Sequence, residues 1–281
     1  MPPDLTKLFL EERARRRAAA SASTSTVVES TETYLESLES RPAVNLSDFD
    51  VGKNATRPVS GLYHIPEFIT ESEEQALLAA IRSPQNNSRW TTATDGGRRI
   101  ANWGGKPSDV TVTEPLPPWA STIVDALFSR NVFCDDKNKK HVKPNHVLVN
   151  EYQVPSGIAP HNDGDVYAPC VAILTLEGDA LIDFWENDGS EAIAVASDDD
   201  DDDDDKNEKP VPRAQVMLRC RSLLVYENDA YRLRHGIRET HIDFITDKCV
   251  NCETTNVSIN EKVERGKTRV SIVFVIKRNK A

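Results

Sequence analysis

The sequence lacks any apolar stretch long enough to cross a bilayer as a helix. Its longest, Val270 to Ile276 with one serine inside, falls far short of the roughly 18–20 residues needed, which excludes a membrane-spanning helix. It also lacks an even, regularly spaced cysteine set. Five cysteines with no secretory signal ahead of them predict a reducing compartment rather than a disulfide framework. Cys249-x-x-Cys252 is half of a zinc motif, but Cys134, Cys170 and Cys220 stand alone, so no structural zinc is expected. A basic excess is missing too. The net charge is −11, and the run Asp198–Asp205 supplies eight of those charges, leaving only three for the rest. The charge balance therefore neither supports nor excludes a nucleic-acid partner.

What is present falls into two parts. Residues 1–58 read as a flexible tail. Leu5–Arg17 has the pattern of a short charged helix, and Ser21–Thr33 is rich in serine and threonine. Arg13, Arg15, Arg16 and Arg17 suit a transit peptide, but Asp4, Glu11 and Glu12 weigh against one. Residues 59–281 read as one domain. Leu62, Tyr63 and Ile65 predict a strand, and Thr70-x-x-Glu73 has the form of a capping box ahead of a helix bearing Leu77, Leu78 and Ile81. A second helix is predicted from Pro117–Pro118 through Trp119, Ile123, Val124 and Leu127.

Strands follow: His146–Val154, Val171–Leu176, Leu181–Trp185, Met217–Tyr226, Arg232–Ile237 and Arg269–Ile276. Helices first and many strands after predict an α+β protein built on a sandwich or jelly roll. Eight adjacent carboxylates resist burial, so about 187–213 is expected to be a solvent-exposed acidic insertion between two strands. Val257–Gly266 reads as a second polar connection.

Three residues have the makings of a metal site. His161-x-Asp163 places an imidazole and a carboxylate on one side of an extended segment, and His235, on a later strand, is the best third ligand. Two histidines and one carboxylate leave about three positions open on an octahedral metal, the pattern of non-haem iron(II) oxygenases. The alternatives are a surface turn at Asn162–Asp163–Gly164 and a hydrogen-bonded core histidine at 235. The rival triplet His241-x-Asp243 has no later histidine to complete it. Asn150 and Tyr152 share one strand face with Leu148, and Arg269 shares one with Ser271. An arginine entering a strand apolar on both faces needs a partner, and its planar fork suits a carboxylate.

In sequence order these segments resemble the AlkB family, and within it the homologue-six branch. The similar stretches are Arg99-Ile-Ala-Asn-Trp-Gly-Gly105, Leu116-Pro-Pro-Trp119, Asn145-His-Val-Leu-Val-Asn-Glu-Tyr152, Gly157-Ile-Ala-Pro-His-Asn-Asp-Gly164, Leu233-Arg-His-Gly-Ile237 and Arg265-Gly-Lys-Thr-Arg-Val-Ser271. The resemblance implies a double-stranded β-helix (jelly roll) with N-terminal helices, iron(II) held by His161, Asp163 and His235, and 2-oxoglutarate contacted by Asn150, Tyr152, Arg269 and Ser271. It implies oxidation with O2 that yields succinate and CO2, and release of formaldehyde when the hydroxylated carbon is an N-methyl group.

One element is missing. The family's closing Arg-x5-Arg pattern starts at Arg269, but its second position holds Val275, with Lys277 two residues on as a substitute candidate. Asp95–Lys106 matches part of the family's substrate lid. There Arg98, Arg99 and Lys106 suit phosphates, and Trp103 either stacks on a flipped base or belongs to the core. Three readings of function stand at this point: demethylation of RNA or DNA, which is preferred; hydroxylation or demethylation of a protein side chain; and a binding protein with a vestigial iron site. A monomer of cytoplasm and nucleus, without membrane association, is expected.

Overall fold

The computed structural model describes residues 38, 41–93, 97–109, 111–135, 140–187 and 211–278. The expected helix over Leu5–Arg17 and the run Asp198–Asp205 lie outside them. Fifteen strands are described: β1 Leu62–Ile65, β2 Thr91–Thr92, β3 Arg98–Trp103, β4 Cys134–Asp135, β5 Lys140–His141, β6 His146–Gln153, β7 Ile158–His161 and β8 Tyr167–Leu176. The rest are β9 Ala180–Trp185, β10 Ala214–Leu218, β11 Leu223–Glu227, β12 Arg234–Ile237, β13 Ile242–Phe244, β14 Lys262–Glu264 and β15 Thr268–Lys277. The two longest helices are α1 Glu71–Ile81 and α2 Pro118–Ser129.

The strands form a seven-stranded sheet, β1-β11-β8-β15-β6-β3-β2, facing a four-stranded sheet, β10-β9-β12-β7. Removing β1, β2 and β3 leaves four strands against four, with consecutive strands from β6 to β9 alternating between sheets. That is the jelly roll the sequence predicts.

Period-two alternation explains the layers. On β15, Val270, Ile272 and Phe274 point outward into a core shared with Leu77 and Ile81 of α1 and Ile123 and Leu127 of α2. Its other face turns inward, where Val275 joins Ile173, Ile182 and Phe184 between the sheets. A strand paired on both edges and apolar on both faces is central. The capping box at Thr70 forms: its hydroxyl accepts from Glu73 N at 3.3 Å, and Glu73 accepts from Thr70 N at 2.6 Å.

Several expectations need correction. Residues 41–58 are not a loose tail, because Val44, Val51 and Ala55 are buried and Val51 N donates to Leu62 O. Short polar-rich segments that dock on a finished core carry no periodicity of their own. Met217–Tyr226 is two strands in different sheets, broken at Arg219–Ser222 with Arg221 at φ 67°. Asp179 ties that corner by accepting from Arg219 and from Cys220 N. Arg232 closes a short helical turn, Asn228–Arg232, instead of opening a strand. Val257–Gly266 contains β14, which pairs with β13 to cover the outer face of the small sheet through Ile245 and Val257.

That hairpin is pinned by a buried ion pair. Arg265 donates to both oxygens of Asp243, at 2.8 and 2.6 Å, and to the Arg238 carbonyl at 2.8 Å, with both side chains only 3 % exposed. Asp243 is thereby occupied, which removes the rival triplet with His241. Asp243→Ala would strand a guanidinium in the interior and should cost about 3–5 kcal/mol, read as a lower midpoint in chemical denaturation.

Candidate metal centre

His161 is the last residue of β7, and the chain turns directly after it, so Asp163 follows on the same side. His235 lies on β12 and is the register partner of His161, which brings the two imidazole centroids to 4.5 Å. One ligand atom from each of His161, Asp163 and His235 lies within 4.8 Å of the others, the one group of this kind among the described residues. Gly236 allows this approach: a Cβ there would stand 2.7 Å from the Ile158 carbonyl, forcing β12 away from β7. Asn162 reinforces the turn by donating to the Leu233 carbonyl at 3.1 Å.

The donor set fits a divalent metal. His161 Nδ1 lies 2.9 Å from the Ala159 carbonyl, an arrangement that puts the ring proton on Nδ1 and frees Nε2 as a ligand. Burial lowers the His235 pKa to about 4, so this imidazole is neutral at physiological pH, as a ligand must be. The buried Tyr226 hydroxyl, whose pKa burial raises well above its ordinary value, donates to Asp163 Oδ2 at 2.7 Å. Asp163 Oδ1 is left facing His235 Nε2 at 3.9 Å.

The three groups open on a cavity of about 110 Å³ between the sheets, whose walls include Asn150, Tyr152, Tyr167, Arg269, Ser271 and Val275. Arg269 is 4 % exposed. Its Nη2 donates to Thr175 Oγ1 at 3.2 Å, its guanidinium stands 5.5 Å from the Tyr152 ring centre, and its Nε has no hydrogen-bond partner among the described residues. Burial depresses its pKa; the Asp243 carboxylate acts on it only from a distance, being itself paired with Arg265. A buried guanidinium on a cavity wall is built to receive an anion.

No protein-family model matches the chain. It is 32 % identical over 216 residues to the zebrafish (Danio rerio) protein named Probable RNA/DNA demethylase ALKBH6, covering 76 % of this chain and 84 % of that protein. This chain belongs to the AlkB family. It is accordingly an iron(II)- and 2-oxoglutarate-dependent dioxygenase, with O2 as cosubstrate. The Alkylated DNA repair protein ALKBH8 homolog of Arabidopsis thaliana is 27 % identical, covering 71 % of this chain and 57 % of that protein. Among solved structures, OsALKBH1 aligns with a TM-score of 0.47 at 15 % identity, covering 77 % of this chain and 96 % of that one.

The AlkB-type residues expected at the cosubstrate all meet in this cavity: Asn150, Tyr152, Arg269 and Ser271 line it, with Ser271 opposite Asn150 and Arg269 opposite Tyr152 in the ladder. Val275 lines it as well. Lys277 does not stand in for the missing arginine, because its ammonium donates to the Lys106 carbonyl outside the cavity lining. A register shift between Val275 and Lys277 separates the two positions.

Of the three residues expected in the lid, Arg98, Arg99 and Trp103, one turns toward the cavity. The Arg98–Trp103 segment is a strand, and its alternation divides the side chains. Arg98 faces the cavity. Arg99 faces outward, bonded to Glu151 at 3.0 Å and 4.8 Å from the Trp90 ring centre. Trp103 is 2 % exposed and meets Trp119 edge-on at 5.1 Å, so it is a core aromatic and cannot stack on a base. Tyr226 and Thr175 escaped the sequence reading, since each reaches its partner across the fold and neither sits in a spaced motif.

Proposed function

We propose that this AlkB-family chain demethylates a nucleic acid, with iron(II) held by His161, Asp163 and His235 and 2-oxoglutarate by Arg269, Tyr152, Asn150 and Ser271. The observation that carries the reading is that three metal donors and a buried arginine, whose Nε has no hydrogen-bond partner among the described residues, open on one cavity. When bound, the metal couples oxidative decarboxylation of 2-oxoglutarate to hydroxylation of a C–H bond, and a hydroxylated N-methyl group leaves as formaldehyde.

The chain's own residues prepare that chemistry. Tyr226 holds one Asp163 oxygen so that the other turns toward the metal position. Arg269 meets the distal carboxylate of the cosubstrate, and Asn150 and Ser271 give polar contacts further along the same wall. Ile158, Ile182, Ile237 and Val273 line the remaining wall and keep bulk water from the reacting atoms.

The substrate class rests on the relatives, one named an RNA/DNA demethylase and one an alkylated DNA repair protein. N-methylated RNA and DNA oligonucleotides incubated with the iron-loaded chain, 2-oxoglutarate and air should release formaldehyde in step with succinate. Oligonucleotide affinity should fall steeply with salt. Formaldehyde from methylated peptides alone would move the substrate to protein side chains.

A further inference from the structure

Lys277 is only 2 % exposed, and a lysine is rarely so deep without something that holds it there. Its ammonium donates to the Lys106 carbonyl, and Asp109, further along the same loop, attracts it as well. His146, at the start of β6, takes the neighbouring carbonyl: its Nε2 lies 3.0 Å from Gly105 O. A carbonyl only accepts, so the ring proton sits on Nε2 and Nδ1 is bare. Nδ1 therefore accepts from the Tyr167 hydroxyl at 3.3 Å, with the two rings stacked at 5.7 Å. Burial pushes the His146 pKa down to about 4, which keeps the ring in this neutral form. Tyr167 lines the metal cavity and is the ladder partner of Lys277. Two consecutive carbonyls of residues 104–109 are thus gripped from β6 and β15, beside a wall of the cavity. The fit is close: a Cβ on Gly104, at φ 91°, would stand 2.5 Å from Asn145 O and 3.1 Å from His146 Cα.

We propose that Lys277 and His146 are positioning residues for the substrate. They latch the loop that follows β3 to the cavity wall at Tyr167, and so hold β3 and Tyr167 in the arrangement that admits a polynucleotide to the metal. The inference rests on the nucleic-acid reading above. The loop leaves β3 directly, and β3 is the strand whose Arg98 faces the cavity. Asn145 fixes the base of the latch, accepting from Lys277 N at 2.7 Å and donating to the Lys277 carbonyl at 3.2 Å. The departure from the Arg-x5-Arg pattern thereby gains a role: the last cation of β15 serves the substrate loop and not the cosubstrate.

The test joins amide hydrogen exchange on the full chain to steady-state formaldehyde release from an N-methylated oligonucleotide by the iron-loaded chain. Lys277→Met keeps a long side chain without the charge, and His146→Phe keeps a ring against Tyr167 without its hydrogen bonds. Each should speed exchange at residues 104–109 by about tenfold or more. Each should also raise KM for the oligonucleotide on the order of tenfold, the scale of a lost charge-assisted contact, with kcat and 2-oxoglutarate affinity near wild type. Lys277→Arg, still a cationic donor, should recover part of both. Unchanged exchange at 104–109 in both variants would overturn the latch. Faster exchange with unchanged KM would overturn the positioning role and leave a purely structural tie. If the wild-type chain releases no formaldehyde from any oligonucleotide, the substrate class proposed above fails and takes this inference with it; if the wild type is active and only the KM effect is missing, the substrate class stands and this inference alone fails.

Discussion

His161→Ala, Asp163→Ala and His235→Ala are each expected to abolish stoichiometric iron(II) binding near neutral pH and, with it, turnover of 2-oxoglutarate. The three donors come from two strands and one turn that already place their ligand atoms within 4.8 Å of one another. Little further ordering is needed on binding, so a missing donor is not replaced by rearrangement. Among the described residues nothing else nearby supplies a substitute, since Tyr226 is a protonated hydroxyl already bound to Asp163. Tyr226→Phe should have a smaller effect, on the order of a 10- to 100-fold loss of metal affinity, as for other partners that orient a ligand. Metal analysis after gel filtration reads all four variants. Full iron occupancy in any alanine variant would remove that residue from the site.

Arg269→Ala should cause the largest loss of cosubstrate affinity outside the metal ligands. The side chain is buried, bonded to Thr175 and placed over the Tyr152 ring, and among the described residues it forms no ion pair with a carboxylate. Its removal deletes a charge-assisted contact and leaves the cosubstrate carboxylate in a poorly solvated pocket. The expected loss is roughly 2–4 kcal/mol, or about 30- to 1000-fold in 2-oxoglutarate affinity. Lys277→Ala should leave that affinity near wild type, because its ammonium is engaged at the Lys106 carbonyl. Calorimetry on the manganese-loaded protein compares the two, and a larger loss for Lys277→Ala would reverse the assignment.

The sandwich and its metal site were legible because their signals are local or strictly periodic. His161-x-Asp163 is a two-residue spacing, and the apolar alternation of Thr268–Lys277 marks a central strand whichever neighbours it pairs with. The capping box at Thr70 and the proline start of α2 are likewise short-range rules. Features set by the third dimension were not legible. Met217–Tyr226 carries one unbroken run of β-forming character around a corner secured from elsewhere in the chain, by Asp179, 40 residues earlier, and by the Thr255 carbonyl, both at Arg219. Trp103 reads equally well as lid or core until β3 is known to be a strand, whose alternation then sends it outward to Trp119 and Arg98 inward. Residues 41–58 lack periodicity because they cover a core built by others.

The most direct test of the account is an anaerobic titration of the metal-free chain with iron(II) and then 2-oxoglutarate, followed by visible absorbance. A 2-oxo acid chelated to iron(II) gives a charge-transfer band, so one equivalent of each should produce it in the wild type. The band should be absent in His161→Ala, Asp163→Ala and His235→Ala, and should need far more 2-oxoglutarate in Arg269→Ala. A wild-type chain that binds both without the band, or a His235→Ala variant that keeps it, would contradict the placement of iron and cosubstrate in this cavity.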